Sequence, residues 1–154
     1  MGKRPEPYPF SQQVLGVLGL AWSKAGQLES ASVGAEHFLW SALQSDTELR
    51  SVLARLGPNA VDSFEACLVP RLLPGESPVS SGHLPYSAEM RAALKQARTL
   101  ADAMHHDRIR VAHLLLALTR VPETPTARIL AQSRLDDERF QAAVVDVLSA
   151  GGGA

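Results

Sequence analysis

The chain has a single cysteine, Cys67, among 154 residues, so no disulfide can form within it. Aromatic residues are scarce, at 5%, while Ala and Leu are abundant, a balance that favours helices over sheets. Neither sign of charge dominates: 15 Lys and Arg stand against 16 Asp and Glu, for a formal net charge of -1. That excludes a broad cationic surface for nucleic acid or for an anionic membrane. Apolar runs are short. Val111–Leu118 is among the longest, far below the roughly 20 residues that cross a bilayer. The start, Met1-Gly-Lys-Arg-Pro-Glu-Pro-Tyr-Pro, has a basic pair but no apolar core, so no secretory signal is expected. No Gly-x-x-x-x-Gly-Lys-Ser/Thr string occurs, and with it goes the loop that cradles ATP phosphates. These absences leave a cytoplasmic globular chain, long enough to bury a core of its own, with no cofactor expected.

Pro and Gly gather in three places: Pro5–Pro9, Pro70–Pro85 and Gly151–Gly153. The middle cluster reads as a linker between two nearly equal halves. The halves match at an offset of 76 residues. Phe10-Ser11 pairs with Tyr86-Ser87, Leu18 with Leu94, Ala21 with Ala97, Ala25 with Ala101, Val33 with Ile109 and His37 with His113. Val52-Leu53 pairs with Ile129-Leu130 at 77, which needs one inserted residue. One supersecondary unit therefore occurs twice. The organisation expected is an extension over 1–9, a first repeat over 10–73, a linker over 74–84, a second repeat over 85–149 and a glycine-rich tail over 150–154.

Each unit reads as four helices. Ser11 is an N-cap candidate. Val14, Leu15, Leu18, Ala21, Trp22 and Ala25 then recur at helical spacing. A second helix over 35–44 is apolar on nearly all sides and is expected to be buried. Asp46 or Thr47 can cap a third that ends at Gly57-Pro58, and Asn59 a fourth through Val61, Phe64, Cys67 and Leu68. The second unit repeats this from Ser87 to about His105, then over Arg110–Arg120, Thr124–Ser133 and Leu135–Leu148. The fold class expected is all-α: two tandem four-helix repeats with an approximate twofold axis.

Three strings resemble one known family. Val33-Gly-Ala-Glu-His-Phe-Leu-Trp-Ser-Ala-Leu resembles Ile-Gly-Thr-Glu-His-Ile-Leu-Leu-Gly-Leu of the N-terminal domain of Clp ATPases. Gly82-His-Leu-Pro-Tyr-Ser resembles the Gly-His-Ile-Pro-Phe-Thr that opens that family's second repeat. Arg110-Val-Ala-His-Leu-Leu-Leu-Ala-Leu resembles a degraded second copy of the Glu-His motif. The resemblance covers about Phe10 to Leu148. The family's domain normally precedes two ATPase modules, which this sequence lacks, so it reads as a stand-alone protein or an excised N-domain.

The resemblance implies two binding sites. In ClpC-type members, the Glu of each Glu-His motif meets the guanidinium of phosphoarginine, and a hydroxyl opening each unit's first helix meets the phosphate. Both contacts are sound chemistry, as a charge-assisted pair and as an anion at a helix N-terminus. The matching residues are Ser11 and Glu36. The second site has Ser87, but Ala112 stands where the family carries Glu, so it reads as impaired. Ser11 as a plain N-cap and Glu36 as a first-turn acid are the local alternatives. The second implied site is a groove that takes hydrophobic cyclic peptides, matched by Phe10, His83, Tyr86 and Arg91. The alternative there is that Phe10 and Tyr86 anchor the first helices as equivalent staples.

Other residues read as structural. His37 and His113, equivalent under the repeat, are expected to be buried and to tie their helices to neighbouring loops. His105-His106-Asp107 reads as a solvated helix end, without zinc-ligand spacing. Cys67, Trp22 and Trp40 read as core. Arg91, Lys95 and Arg98 form a basic stripe. No convergent nucleophile, base and oxyanion donors are visible, so a hydrolase is disfavoured. The expectation is a non-catalytic adaptor, regulator or substrate receptor. Its partners would be Clp ATPase or ClpP subunits, protein substrates or peptides. The alternative is a decoy for peptide toxins that target a Clp ATPase.

Overall fold

A computed structural model describes residues 9–45, 48–72, 84–120 and 125–150. Most of the linker, together with Asp46, Thr47 and Thr124, lies outside the described residues. Eight α-helices follow one another among those described. They are α1 (Gln12–Gln27), α2 (Ala35–Gln44), α3 (Glu48–Leu56), α4 (Ala60–Leu68), α5 (Ala88–Ala103), α6 (Val111–Arg120), α7 (Pro125–Gln132) and α8 (Asp137–Ala150), with a 3-10 turn over Val69–Arg71 after α4.

The caps explain where the first helix of each half begins. Ser11 Oγ accepts from the Val14 N–H and Ser87 Oγ from the Met90 N–H, each at 3.2 Å. These bonds satisfy donors that have no partner inside the helix. The ends match too. Glu29 and His105 follow α1 and α5 with φ of 56° and 61°, and the chain closes back through Ser30 N–H to Ala25 O at 3.0 Å and His106 N–H to Ala101 O at 2.8 Å. This is the left-handed closure usually given to Gly. Asn59 sits at the start of α4, but its side chain makes no cap bond.

The halves are interlocked. α1 packs on α2 and α5 on α6 within each half, while α8 of the second half lies on α3 of the first, and α7 lies on α2 and α4. One large core cluster draws on both halves, from Val14 and Phe38 to Leu115 and Phe140. As its pattern predicts, α6 is buried along its length from Val111 to Thr119. Each fully buried Leu there contributes roughly 1.5–3 kcal/mol relative to exposure.

Three placements depart from the sequence expectation. Leu15 falls on the solvent side of α1, 56% exposed, because Val14, Val17, Leu18, Ala21 and Ala25 already define the inward face. Trp22 and Trp40 are half-buried rather than core: Trp22 meets the Tyr86 ring at a tilt, and the Trp40 ring carries Lys24 Nζ at 4.5 Å from its centroid. Cys67 is likewise only half-buried, at the edge of the core.

Two short parallel bridges cross between the halves: Phe10 with Ile109, and Val33 with Tyr86. Their hydrogen bonds are equivalent at the repeat offset. Ile109 N–H donates to Pro9 O at 2.8 Å and Ser11 N–H to Ile109 O at 3.0 Å. Val33 N–H donates to Pro85 O at 2.8 Å and Ser87 N–H to Val33 O at 2.9 Å. Each half's entry segment thus lies along the loop before the other half's second helix.

Candidate functional site

The crossed bridges decide which residues of the expected sites meet. Ser11 and Glu36 belong to one repeat, but the bridges hold Ser11 at Ile109, ahead of Ala112, and bring Ser87 to Val33, ahead of Glu36. Each helix-opening serine therefore lies against the loop before the other half's second helix, while Glu36 follows the loop that holds Ser87. The first end, at the start of α2, thus has Glu36 after the loop bonded to Ser87, with Arg91 one turn into α5; the second end, at the start of α6, has Ala112 after the loop bonded to Ser11.

At the first end, Glu36 is partly exposed in the first turn of α2 and its carboxylate folds back over Gly34. A Cβ at position 34 would collide with that carboxylate, so Gly34 leaves room for it. Arg91 is exposed on α5, and its Nη1 donates to Tyr86 O at 2.9 Å. The Tyr86 ring lies 5.2 Å from the Trp22 ring, tilted by 55°. Tyr86 packs against Val33, Trp22 and Leu84, and burial pushes its hydroxyl pKa up. Phe10 packs against the main core, which Tyr86 also touches. His83 lies outside the described residues. Arg91, Lys95 and Arg98 line the solvent side of α5.

At the second end, Ala112 is fully buried. Its N–H donates at 3.0 Å to Glu48 Oε1, which reaches across from α3. Arg110, the residue before α6, donates from Nε to Glu48 Oε2 at 2.9 Å and pairs with it through Nη2.

His37 and His113 tie helix to loop in both halves. Gly34 N–H donates to His37 Nδ1 at 2.9 Å, and His37 Nε2 lies 3.3 Å from Ser30 Oγ. Arg110 N–H donates to His113 Nδ1 at 2.8 Å, and His113 Nε2 lies 2.9 Å from His106 Nδ1. A backbone N–H can only donate, so each Nδ1 accepts and each Nε2 carries the proton. Burial lowers the pKa of both imidazoles. For His37, Glu36 opposes the shift and Lys24 adds to it. For His113 the value falls to about 4, with His106 and Arg110 adding to the effect of burial. His106 is therefore not simply part of a solvated helix end. It is half-buried and accepts from His113, while His105 is exposed.

The Clp repeat (R) N-terminal domain matches residues 9–133 and residues 85–152. The chain belongs to this family. Comparison with curated proteins finds no match. Among solved structures, the Clp fold recurs in the Hsp104 N-terminal domain from Candida albicans, at 16% identity and a TM-score of 0.81, covering 95% of this chain and 93% of that one. It recurs in the N-terminal domain of the ClpV1 ATPase from the E. coli EAEC Sci1 T6SS, at 24% identity and 0.69, covering 92% and 86%. A structure described as "Peptide from EAEC T6SS Sci1 SciI protein" matches at 23% identity and 0.71, covering 92% and 90%. These likenesses establish the fold.

Within this Clp repeat domain, sequence reasoning missed Glu48 and His106. His106 had a signal, since it stands at the repeat offset from Ser30 just as His113 does from His37. Glu48 had none, because its partner Arg110 is 62 residues away. Among the described residues, no group of three or more metal-ligating side chains gathers, and no helix is long and apolar enough to cross a membrane.

Proposed function

We propose that this domain is a non-catalytic protein- or peptide-binding module of the Clp proteolysis system, acting as adaptor, regulator or substrate receptor. Its recognition end is built from Glu36, Ser87 and Arg91. The observation that supports the reading is the crossed bridge at Val33 and Tyr86, which ties the capped start of α5, near exposed Arg91, to the loop that precedes the partly exposed Glu36. A carboxylate suits the guanidinium of phosphoarginine, while a helix N-terminus and Arg91 suit its phosphate. That a structure of the same fold is described by a peptide from the SciI protein supports peptide recognition as a use of this fold. Partners on this reading are Clp ATPase or ClpP subunits and marked protein substrates, in the cytoplasm.

The test is fluorescence polarisation with a labelled peptide carrying one phosphoarginine, against the same peptide with plain arginine. Preferential binding of the phosphorylated form, lost in Glu36→Gln, supports the reading. Equal affinity for both peptides, or full binding by the variant, overturns it. The half-buried Tyr86, its ring tilted against that of Trp22, favours a second reading as a decoy for hydrophobic cyclic peptides. There Tyr86→Ala, not Glu36→Gln, abolishes binding.

A further inference from the structure

Glu48 makes the kind of contacts that a bound anion would make at the start of α6. Its Oε1 accepts from the Ala112 N–H in the first turn, and its Oε2 accepts from Arg110 Nε at 2.9 Å and pairs with Nη2. Both side chains are only 16% exposed. Arg110 is held in turn, since Nη1 donates to Leu148 O at 3.3 Å and Nη2 to Val147 O at 3.4 Å, in the last turn of α8. A guanidinium fork beside a helix's first free amides is how proteins take up a carboxylate or phosphate. Here the ligand is supplied by the chain, from a helix of the other half. The repeat-related positions at α2 have the opposite character, with Gly34 in place of Arg110 and Glu36 in place of Ala112.

We propose that the start of α6 is an anion site occupied by the chain's own Glu48, and that each chain therefore offers a single open recognition end, the one at Glu36. The second clause rests on the function proposed above; the first does not. Glu48 joins the halves through the same contacts that close the site. Removing its carboxylate exposes a cation and an amide whose chemistry fits an external carboxylate or phosphate.

The experiment is chemical rescue of Glu48→Ala by inorganic phosphate, read as Tm by circular dichroism at constant ionic strength against chloride. The variant is expected to melt well below wild type. Phosphate at 10 mM, a concentration on the order of that needed to fill a weak anion site, should raise the variant's Tm by several degrees more than it raises that of wild type. The gain should vanish in the double variant Glu48→Ala, Arg110→Gln. If Glu48→Ala is unfolded in chloride, recovery of its helical signal by phosphate is the same readout. Phosphate that stabilises wild type and variant alike, or neither, overturns the internal-ligand assignment. Calorimetric titration of wild type with free phosphoarginine then counts sites. One equivalent is expected, and two overturn the single open end. No uptake at all overturns the reading of the Glu36 end and the single open end with it, leaving the internal-ligand assignment to the phosphate result.

Discussion

Ser87 donates its backbone N–H to the carbonyl of Val33, in the other half of the chain, at 2.9 Å. Ser11 makes the equivalent bond to Ile109 at 3.0 Å. The two bonds turn a tandem repeat into an exchanged pair: each first helix starts against the loop before the other half's second helix. A ligand held between a first-helix cap and a Glu-His motif would therefore be held by both halves at once.

The capping hydroxyls have a separable structural role. Ser11→Ala and Ser87→Ala are each expected to lower stability by about 1 kcal/mol, by removing the one side-chain acceptor for the Val14 or Met90 amide. The caps stand on different helices and bond different amides, so the losses should add in the double variant. Urea unfolding followed by far-UV circular dichroism measures both. Non-additivity beyond about 0.5 kcal/mol would show that the two helix starts are coupled.

Acid should destabilise the fold through His113. Its native pKa is lowered to about 4 from an ordinary 6.5, because burial and the neighbouring His106 and Arg110 disfavour the imidazolium. The unfolded chain thus binds more protons than the native one between those values, and stability rises with pH across that window. The full contribution is present above about pH 6.5 and is lost progressively as pH falls towards 4, reaching at most about 3 kcal/mol. His113→Asn keeps an acceptor for the Arg110 amide and cannot titrate. Its unfolding free energy, compared with wild type at pH 7.5 and pH 4, should depend less steeply on pH. An unchanged slope would remove His113 from the explanation.

The left-handed residues that close α1 and α5 are open to improvement. Glu29 and His105 hold φ of 56° and 61° with side chains that Gly would not need to accommodate. Glu29→Gly and His105→Gly should each stabilise by about 0.5–1 kcal/mol, the cost of αL for a non-Gly residue less the entropy Gly adds to the unfolded chain. Differential scanning calorimetry reads the gain as a higher Tm. A loss in either variant would mean that the side chain contributes more than its backbone conformation costs.

Much of this was legible in the sequence, for local reasons. Helix positions follow from apolar residues at three and four, and the helix over 35–44 reads as buried because it is apolar on nearly all sides. The cap serines and the paired histidines follow from the repeat itself. The crossing was not legible. An offset of 76 says that Ser11 and Ser87 are equivalent, but not which half each lies against, and both arrangements satisfy the same periodicity. Leu15 misled because it fits the spacing of the inward face, whereas Val14 and Val17 take the buried positions. Glu48 sits at the start of a helix, where an acid suits the dipole. Nothing near it in sequence indicates that its carboxylate reaches α6.

One measurement bears most directly on where this domain binds. A ¹H–¹⁵N correlation spectrum of the wild-type chain, titrated with phosphoarginine, reports the site by the amides that shift. Recognition at the crossed end predicts shifts confined to Gly34, Glu36, Ser87 and their neighbours, with Ser11 and Ala112 unmoved. Shifts centred on Ser11 and Ala112, or spread equally over both ends, would contradict it.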